Sequence, residues 1–223
     1  EMEKRGHHLK SIRLDSGDLA YLAKQSRAML DEAGLHYVRI AASNQLDEYV
    51  IRSLVAQGAP IDTFAVGTNL VTGQPDAALD GVYKLAWTNG HSVIKLSETV
   101  SKITLPDKKQ VWRAINGQGL FLGADVIGFD DETNIDIMHH PFEPHKSLAL
   151  HPYEIEPSLQ LVMAKGKIVH DPPALSQTVQ YSRERLAMLP AEYKRFENPH
   201  VYKVGISGRL KALRDSLVAQ HGG

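Results

Sequence analysis

Three polar segments that follow apolar stretches carry the side chains best suited to chemistry in the first third of this chain. The segments end the runs SIRLDSGD, YVRIAASN and DTFAVGTN, and their polar or small residues are Asp15, Ser16, Asp18, Ser43, Asn44, Gly67, Thr68 and Asn69. A carboxylate such as that of Asp15 could accept hydrogen bonds from ribose hydroxyls or stabilise a developing cation. Hydroxyl groups and backbone N–H groups in the same segments could hold a phosphate.

The apolar stretches begin at intervals of roughly 26 residues, a spacing that is typical of repeated βα units. We predict strands at 11–14, 37–42 and 63–66, with helices between them that stop near Gly34 and Gly58. The helical positions predicted to face the sheet are Leu19, Leu22, Met29, Leu30 and Ala33 in the first helix and Leu46, Val50, Ser53 and Leu54 in the second. Because parallel α/β folds bind ligands at the carboxyl ends of their strands, the three polar segments should meet around one ligand.

The rest of the chain has a different pattern, richer in residues that favour strands and turns. In order, we predict a fourth apolar strand at 81–88, hairpins or an excursion from the sheet at 91–116, a strand pair with a polar turn at 119–133, an irregular segment at 138–158, a strand at 159–169, and helices at 174–188 and 207–220. The predicted domains are therefore the βα units of 1–90 and the hairpin-rich and helical segments of 91–223.

The strand-end residues each allow a ligand role and a structural role. Asp15 directly follows a strand, which favours a ligand role, whereas Asp18 is better placed to cap the helix that begins at Leu19. Arg13 lies two residues before Asp15, so both side chains point to the same side of the sheet, where Arg13 could bind an anionic ligand or a structural carboxylate. The VGTN segment could surround a phosphate or form an ordinary turn.

The composition excludes several classes of protein. The formal net charge is −1 and the pI is about 6.9, so no overall positive field attracts nucleic acid or an anionic membrane. No apolar run approaches the roughly 20 residues that span a bilayer. There is no Cys, which removes disulfides, thiolate nucleophiles and Cys-based zinc sites. We predict a cytoplasmic protein that binds neither nucleic acid nor membrane.

Two further groups of polar residues lie in the second half of the chain. The basic group, which could cover a polyphosphate but is more typical of a solvated face, consists of Lys95, Lys102, Lys108, Lys109 and Arg113. The histidine group consists of His139, His140, His145 and His151. Their spacing matches no closed set of zinc ligands, so polar packing within a loop is the better interpretation and we predict no metal held by protein ligands here.

Taken together, these segments resemble the C-terminal half of nicotinate phosphoribosyltransferase. The resemblance is carried, in this order, by LDSGD, by ASN followed by LDEY, by VGTNLVT, GVYKLA and KLSETVSKITLPDKKQVWR, and by the closing segments EPSLQLVMAKGKIV and NPHVYKVGIS. It extends over nearly the whole chain. The order of the motifs is far more specific than any one of them.

The resemblance implies a fold and an activity. The fold is part of an irregular α/β (TIM-like) barrel of the type II phosphoribosyltransferase kind, with C-terminal α+β segments that pack on the barrel and on an N-terminal part. The reaction joins nicotinate to 5-phosphoribosyl 1-diphosphate, giving nicotinate mononucleotide and pyrophosphate in NAD biosynthesis, with coupled hydrolysis of the co-substrate ATP. Mg²⁺ would accompany the diphosphate. The family forms homodimers whose active sites lie at the subunit interface.

The same resemblance suggests roles for the strand-end residues. Asp15 would be catalytic, and Arg13 and Asp15 would face the base and the ribose. Ser16 would bind substrate, Asn44 would bind the ribose hydroxyls, and the 5′-phosphate would lie against Gly67, Thr68 and Asn69.

The catalytic His of the family lies upstream of the LDSGD strand, and neither His7 nor His8 stands in the expected motif. The segment Glu1 to Gly6 also resembles the end of a helix more than the start of a protein. We therefore expect this chain to be a piece of a longer enzyme and to be inactive alone. Two alternatives remain: a nicotinamide or quinolinate phosphoribosyltransferase of the same fold, and a non-catalytic phosphoribosyl-binding module.

Overall fold

The computed structural model describes residues 2–78 and 80–221 and divides the chain into two units, Glu1–Val82 and Tyr83–Gly223. The domains predicted from the sequence, which are the βα units of 1–90 and the hairpin-rich and helical segments of 91–223, stay predictions.

The first unit contains the predicted βα repeat. Its elements are β1 (Ser11–Leu14), α1 (Leu19–Glu32), β2 (Arg39–Ala42), α2 (Glu48–Ala56), β3 (Thr63–Phe64) and the short α3 (Thr68–Val71). The three strands are parallel in the order β1-β2-β3. The predicted cadence is therefore confirmed, and the carboxyl ends of the strands lie along one edge.

A capping carboxylate begins each of the two long helices of this unit. Asp18 accepts a hydrogen bond from the backbone N of Tyr21 at 3.0 Å, and Asp47 accepts one from that of Val50 at 2.7 Å. Each bond satisfies one of the N–H groups that a helix N-terminus leaves unpaired. The capping interpretation of Asp18 is thus confirmed.

The helices bury a small apolar core against one face of the sheet. The core consists of Leu19, Ala20, Ala42, Leu46 and Leu54, with Leu14 and Phe64 packed against it. The inward positions predicted for Met29, Ala33, Val50 and Ser53 are wrong, since all four are exposed and Met29 is 70% exposed. A four-residue strand is about 13 Å long, whereas the 14-residue α1 is about 21 Å long, so the helix ends extend past the sheet.

Replacing Asp47 by Ala should lower the free energy of unfolding by about 1 kcal/mol, because the cap of α2 is lost. Asp47→Asn should retain most of the stability, since Asn caps helices nearly as well. Denaturant unfolding followed by circular dichroism measures both. Equal loss in the two variants would show that charge, rather than capping, is what Asp47 contributes.

The second unit is built on a six-stranded mixed sheet. The strands of the second unit are β4 (Trp87–Thr88), β5 (His91–Ser92), β6 (Lys109–Ile115), β7 (Phe121–Phe129), β8 (Ile137–His139), β9 (Ser147–Ala149), β10 (Glu154–Pro157), β11 (Met163–Ala164), β12 (Lys167–Ile168) and β13 (Lys203–Ser207). Its helices are α4 (Leu175–Met188) and α5 (Gly208–His221). The large sheet has the order β10-β6-β7-β13-β8-β9, and the pairs β4-β5 and β11-β12 are separate hairpins. The last strand in sequence, β13, therefore lies in the interior of the sheet.

Two predicted helices are confirmed in this unit, and four other predictions need correction. The segment predicted as irregular, 138–158, contributes β9, β10 and part of β8 to the sheet. Its prolines do not prevent this, because β10 is an edge strand that ends at Pro157, where a missing N–H costs no ladder hydrogen bond.

The other corrections concern strand length and pairing. The strand predicted at 81–88 is present only as β4, and Tyr83 is 94% exposed, because 81–86 has no neighbouring strand in the part of the chain described here. The predicted strand pair at 119–133 is the single long strand β7, which pairs with β6. The predicted strand at 159–169 is instead the hairpin β11-β12, since Lys165 and Gly166 both adopt positive φ and turn the chain.

Candidate functional site

Parallel pairing brings the three polar segments of the first unit to one edge of the sheet. Leu14 pairs with Ala42, and Ala42 pairs with Phe64, so the residues that follow β1, β2 and β3 emerge side by side. The sequence predicted this meeting of the strand ends, and the structure confirms the shared edge. It tests no ligand role.

The most ordered part of this edge is a trio formed by Arg13, Asp15 and Ser43. Arg13 Nη1 donates to Ser43 Oγ at 2.8 Å and lies 3.0 Å from Asp15 Oδ1. Ser43 Oγ donates to the same Asp15 Oδ1 at 2.6 Å. Arg13 and Asp15 thus point to one side of the sheet, as their spacing predicts. The arrangement presents a carboxylate beside a guanidinium at the strand ends.

Both charged groups of the trio keep unused hydrogen-bonding atoms. Among the residues that the structure describes, nothing bonds to Asp15 Oδ2 or to Arg13 Nη2 and Nε. Their side chains are 52% and 62% exposed. The trio can therefore offer an acceptor and a fork of donors to a ligand with hydroxyl and anionic groups.

The electrostatics keep Asp15 ionised. The hydrogen bond from Ser43 lowers the pKa of Asp15, and the positive charge of Arg13 lowers it further, together outweighing the desolvation that raises it. An aspartate with a depressed pKa carries full negative charge at neutral pH. It can stabilise a cationic centre but cannot act as a general acid there.

The turn after β2 has an unusual backbone conformation. Asn44 and Gln45 both have positive φ, 84° and 49°, a region that Asn tolerates better than most residues. The turn delivers the chain directly to Asp47 at the start of α2. The Asn44 side chain is exposed and has no hydrogen-bond partner in the described part of the chain, so it is free to meet a ligand.

The third segment combines an open backbone with a structural amide. A Cβ added to Gly67 would meet no atom within 4 Å, so no neighbour that the structure describes requires a glycine there. Asn69 Nδ2 donates to the carbonyl oxygen of Leu46 at 3.0 Å, which ties this segment to the loop after β2. Thr68 begins α3 and is exposed, as is Ser16 on the first segment.

A groove lies at the same end of the first unit, beside the third segment. Its volume is about 700 Å³, and its lining includes Asp47, Tyr49, Asn69, Leu70 and Pro75. The LDEY sequence therefore contributes to this groove as well as to the cap of α2.

The histidines before β1 lie away from the strand-end residues. His8 Nδ1 bonds to Glu3 at 3.0 Å, and its ring contacts Tyr37 edge-on with centroids 5.7 Å apart. These residues precede β1 and β2, at the opposite edge of the sheet from Asp15.

The basic group of the second unit is largely committed to internal contacts. Lys109 Nζ donates to the carbonyl oxygens of Leu105, Pro106 and Asp107. Lys108 lies 4.1 Å from the centroid of the Trp87 ring, and Arg113 is bound to Asp125. A role for this group in binding polyphosphate stays one of the two original interpretations.

Two members of the histidine group, His140 and His145, lie beside the carboxylate of Glu143. His140 Nε2 and His145 Nε2 lie 3.5 and 3.7 Å from Glu143, and His140 Nδ1 accepts from the backbone N of Glu143 at 3.0 Å. Within residues 2–78 and 80–221, no group of three or more His, Cys, Asp or Glu could hold a metal ion.

Comparison with known proteins finds sequence similarity in both units. The family model described as the nicotinate phosphoribosyltransferase C-terminal domain matches residues 108–214. The nicotinate phosphoribosyltransferase of Bacillus subtilis is 40% identical over 204 residues, which cover 88% of this chain and 42% of that protein. The one from Dictyostelium discoideum is 36% identical over 235 residues, covering 97% of this chain and 39% of that protein. Over most of its length, this chain is similar in sequence to part of nicotinate phosphoribosyltransferase.

Solved structures agree with this relationship. The crystal structure of human nicotinic acid phosphoribosyltransferase superposes with a TM-score of 0.72 at 26% identity, over 95% of this chain and 41% of that one. The nicotinate-nucleotide pyrophosphorylase of Pyrococcus furiosus superposes with a TM-score of 0.59 at 21% identity, over 84% of this chain and 41% of that one, which shows a shared α/β fold. The chain spans about two fifths of the length of the curated nicotinate phosphoribosyltransferases that it matches.

Every helix among the residues described is too short or too polar to cross a bilayer.

Ser43 is the member of the trio whose hydrogen-bonding role the sequence did not reveal. Its position among the strand-end residues was predicted, but no role was assigned to it, because serine at a strand end is common and the contact crosses 28 residues of sequence. The only sequence signal is that Ser43 follows Ala41 by two and so shares a sheet face with Arg13, which pairs with Ala41.

Proposed function

We propose that the protein containing this chain is an ATP-dependent nicotinate phosphoribosyltransferase of NAD biosynthesis, and that the strand-end edge of the first unit forms part of its active site. The observation that carries the proposal is the trio of Arg13, Asp15 and Ser43 on a chain homologous to that enzyme. Its atoms suit the reaction that the homologues are named for.

The chemistry explains why a carboxylate is needed. Displacement of pyrophosphate from 5-phosphoribosyl 1-diphosphate by the pyridine nitrogen places positive charge on the ribose at the transition state. A fixed, ionised Asp15 beside the ribose stabilises that charge. Its free Oδ2 can also accept a hydrogen bond from a ribose hydroxyl, which orients the sugar.

The remaining strand-end residues suit the other parts of the substrate. Arg13 offers unused N–H groups to the carboxylate of nicotinate or to the diphosphate. Asn44 meets the ribose hydroxyls, and Ser16 lies close enough in sequence to Asp15 to contribute to the same subsite. The 5′-phosphate lies against Gly67, Thr68 and Asn69, where the open space above Gly67 allows close approach to the backbone.

The residues described at the strand-end edge are compatible with Mg²⁺ that the substrate carries, but they include no counterpart of the histidine that the family uses with ATP. The described residues offer no cage of protein ligands, which suits an Mg²⁺ ion that is bound mainly by the phosphate oxygens of the substrate and by water. Mg²⁺ bound to the diphosphate supplies charge neutralisation of the leaving group. The phosphorylated His that couples ATP hydrolysis in the family corresponds to no residue placed at this edge.

A barrel and a homodimer are part of the same proposal. One face of the three-stranded sheet buries Ile40 and Ala42, while Arg39, Thr63 and Ala65 on the other face are exposed. Parallel sheets are normally covered on both faces. Closure of an irregular TIM-like barrel by further strands would cover the exposed face. The proposed location is the cytoplasm, which supplies all the substrates.

The test is an assay of the complete natural protein with nicotinate, 5-phosphoribosyl 1-diphosphate, Mg²⁺ and ATP. We expect nicotinate mononucleotide and pyrophosphate, with ADP formed alongside. Parallel reactions with nicotinamide and with quinolinate distinguish the two related transferases. Binding of 5-phosphoribosyl 1-diphosphate without turnover of any of the three bases would instead favour the non-catalytic module.

A further inference from the structure

Ser43 is the buried member of an otherwise exposed trio. It is 8% exposed, whereas the side chains of Arg13 and Asp15 are more than half exposed. An exposed ion pair between long, mobile side chains contributes little and holds no fixed geometry. A buried hydroxyl at the end of β2 is a rigid point to which both groups can be attached.

The direction of the hydrogen bonds follows from their geometry. Arg13 has only donors, so Ser43 Oγ accepts from Nη1 at 2.8 Å. The single hydroxyl hydrogen of Ser43 then goes to Asp15 Oδ1 at 2.6 Å rather than to the carbonyl oxygen of Leu14 at 3.4 Å. The hydroxyl therefore engages one oxygen of Asp15 and one nitrogen of Arg13, and leaves Oδ2, Nη2 and Nε for a ligand.

The sheet itself does not need this hydroxyl. The backbone N–H of Ser43 already donates to the carbonyl oxygen of Leu14 at 2.9 Å, which continues the ladder between β1 and β2. An Ala at position 43 would keep that bond and would fit the same buried space. The hydroxyl therefore orients the Asp15 carboxylate and the Arg13 guanidinium, the two ligand-facing groups.

We propose that Ser43 is a positioning residue, which holds the Asp15 carboxylate and the Arg13 guanidinium in the orientation that binds the phosphoribosyl substrate. This inference rests on the proposed function for the identity of the substrate. Ser43 acts through Asp15 and Arg13, and it directly follows β2, whereas Arg13 lies in β1 and Asp15 directly follows β1.

The experiment compares Ser43→Ala with Ser43→Thr in the complete natural protein. Ser43→Ala should lower kcat/KM by about 10-fold to 100-fold, because hydrogen bonds to charged groups such as Asp15 and Arg13 are among the stronger ones, and Ser43→Thr, which keeps the hydroxyl, should recover most of it. Ser53→Ala is the matched control. Ser53 is an exposed serine on α2 whose hydroxyl also accepts a hydrogen bond, from Gln57, and its loss should leave kcat/KM unchanged.

Two further readouts separate positioning from a merely structural effect. The groups that face Asp15 are Arg13 from its own strand and Ser43 from β2, so loss of the Ser43 donor should move the acidic limb of the kcat/KM profile to higher pH. The carboxyl carbon of Asp15, followed by NMR in ¹³C-aspartate-labelled protein, should titrate at higher pH in Ser43→Ala than in the unaltered protein. If Ser43→Ala fails to fold, Ser43→Cys replaces it, since a thiol is a weak donor of similar size.

The outcomes keep this inference apart from the proposed function. An unaltered protein that turns over none of the three bases overturns the proposed function, and the Asp15 titration still decides the role of Ser43. An active protein in which Ser43→Ala changes neither kcat/KM nor the Asp15 titration overturns the positioning role alone. A lowered melting temperature with an unchanged Asp15 titration would also overturn it, because the hydroxyl would then serve only the fold.

Discussion

Replacing Asp15 by Asn should reduce the turnover of the complete natural protein by roughly 100-fold or more while leaving its fold intact. The substitution keeps the shape of the side chain and removes the negative charge beside Arg13 and Ser43. On the proposed function, that charge is what stabilises a cationic ribose at the transition state. Steady-state kinetics with saturating nicotinate and 5-phosphoribosyl 1-diphosphate measures the effect, and the melting temperature checks the fold.

The matched control for this variant is Asp18→Asn, three residues along the same segment. Asp18 caps α1 through its carboxylate, and Asn caps helices about as well as Asp. Turnover should therefore stay close to that of the unaltered protein. Equal losses in the two variants would mean that the charge of the segment as a whole matters, and an active Asp15→Asn variant would remove Asp15 from the catalytic role.

Replacing Asp125 by Ala should destabilise the second unit by about 3 kcal/mol. Arg113 donates to both carboxylate oxygens, from Nε at 3.0 Å and Nη2 at 2.9 Å, and the hydroxyl of Tyr202 donates to Oδ1 at 2.8 Å. The Asp125 side chain is 11% exposed. Its removal leaves a guanidinium and a phenol without their acceptor in a partly buried site, where neither group recovers full hydration.

The pKa shifts of the partners agree with this coupling. The hydrogen bonds to Asp125 raise the pKa of Arg113. The pKa of Tyr202 is raised mainly by burial and also by the hydrogen bond to Asp125.

Asp131→Ala is the control, because Asp131 forms an ion pair with Arg209 in which both side chains are more than half exposed, a kind of pair that contributes 1 kcal/mol or less. Denaturant unfolding of both variants gives the comparison. Equal stabilities would show that the Arg113 pair contributes no more than a surface pair.

Local patterns were sufficient to predict the three strands and the two long helices of the first unit, although β2 and β3 are shorter than predicted and the short α3 was not predicted. The apolar periodicity predicts β1 at its observed bounds, and the helices α1 and α2 begin at capping carboxylates that stand before their apolar faces. These features depend on residues at most a few positions apart. The extent of burial was less predictable, as exposed Met29 shows, because it depends on how far the sheet reaches.

The second unit was predicted less well, because its strands pair across long stretches of sequence. β13 follows β7 by more than 70 residues yet lies directly beside it in a parallel pairing, with Gly205 opposite Val126. The segment 138–158 has no clear apolar alternation, and its strands are specified by the neighbours that they pair with.

The sequence by itself determined which residues come to the carboxyl edge of the parallel sheet, because the βα cadence and the alternation of side chains are local properties. It also predicted the similarity to nicotinate phosphoribosyltransferase, because the motifs occur in a specific order. Only the tertiary structure decided that Ser43 bridges Arg13 and Asp15, and that Asn69 ties its segment to the carbonyl of Leu46. Hydrogen bonds between strands depend on register and distance to within a few tenths of an ångström, and these follow from the packing of the whole unit rather than from any one segment.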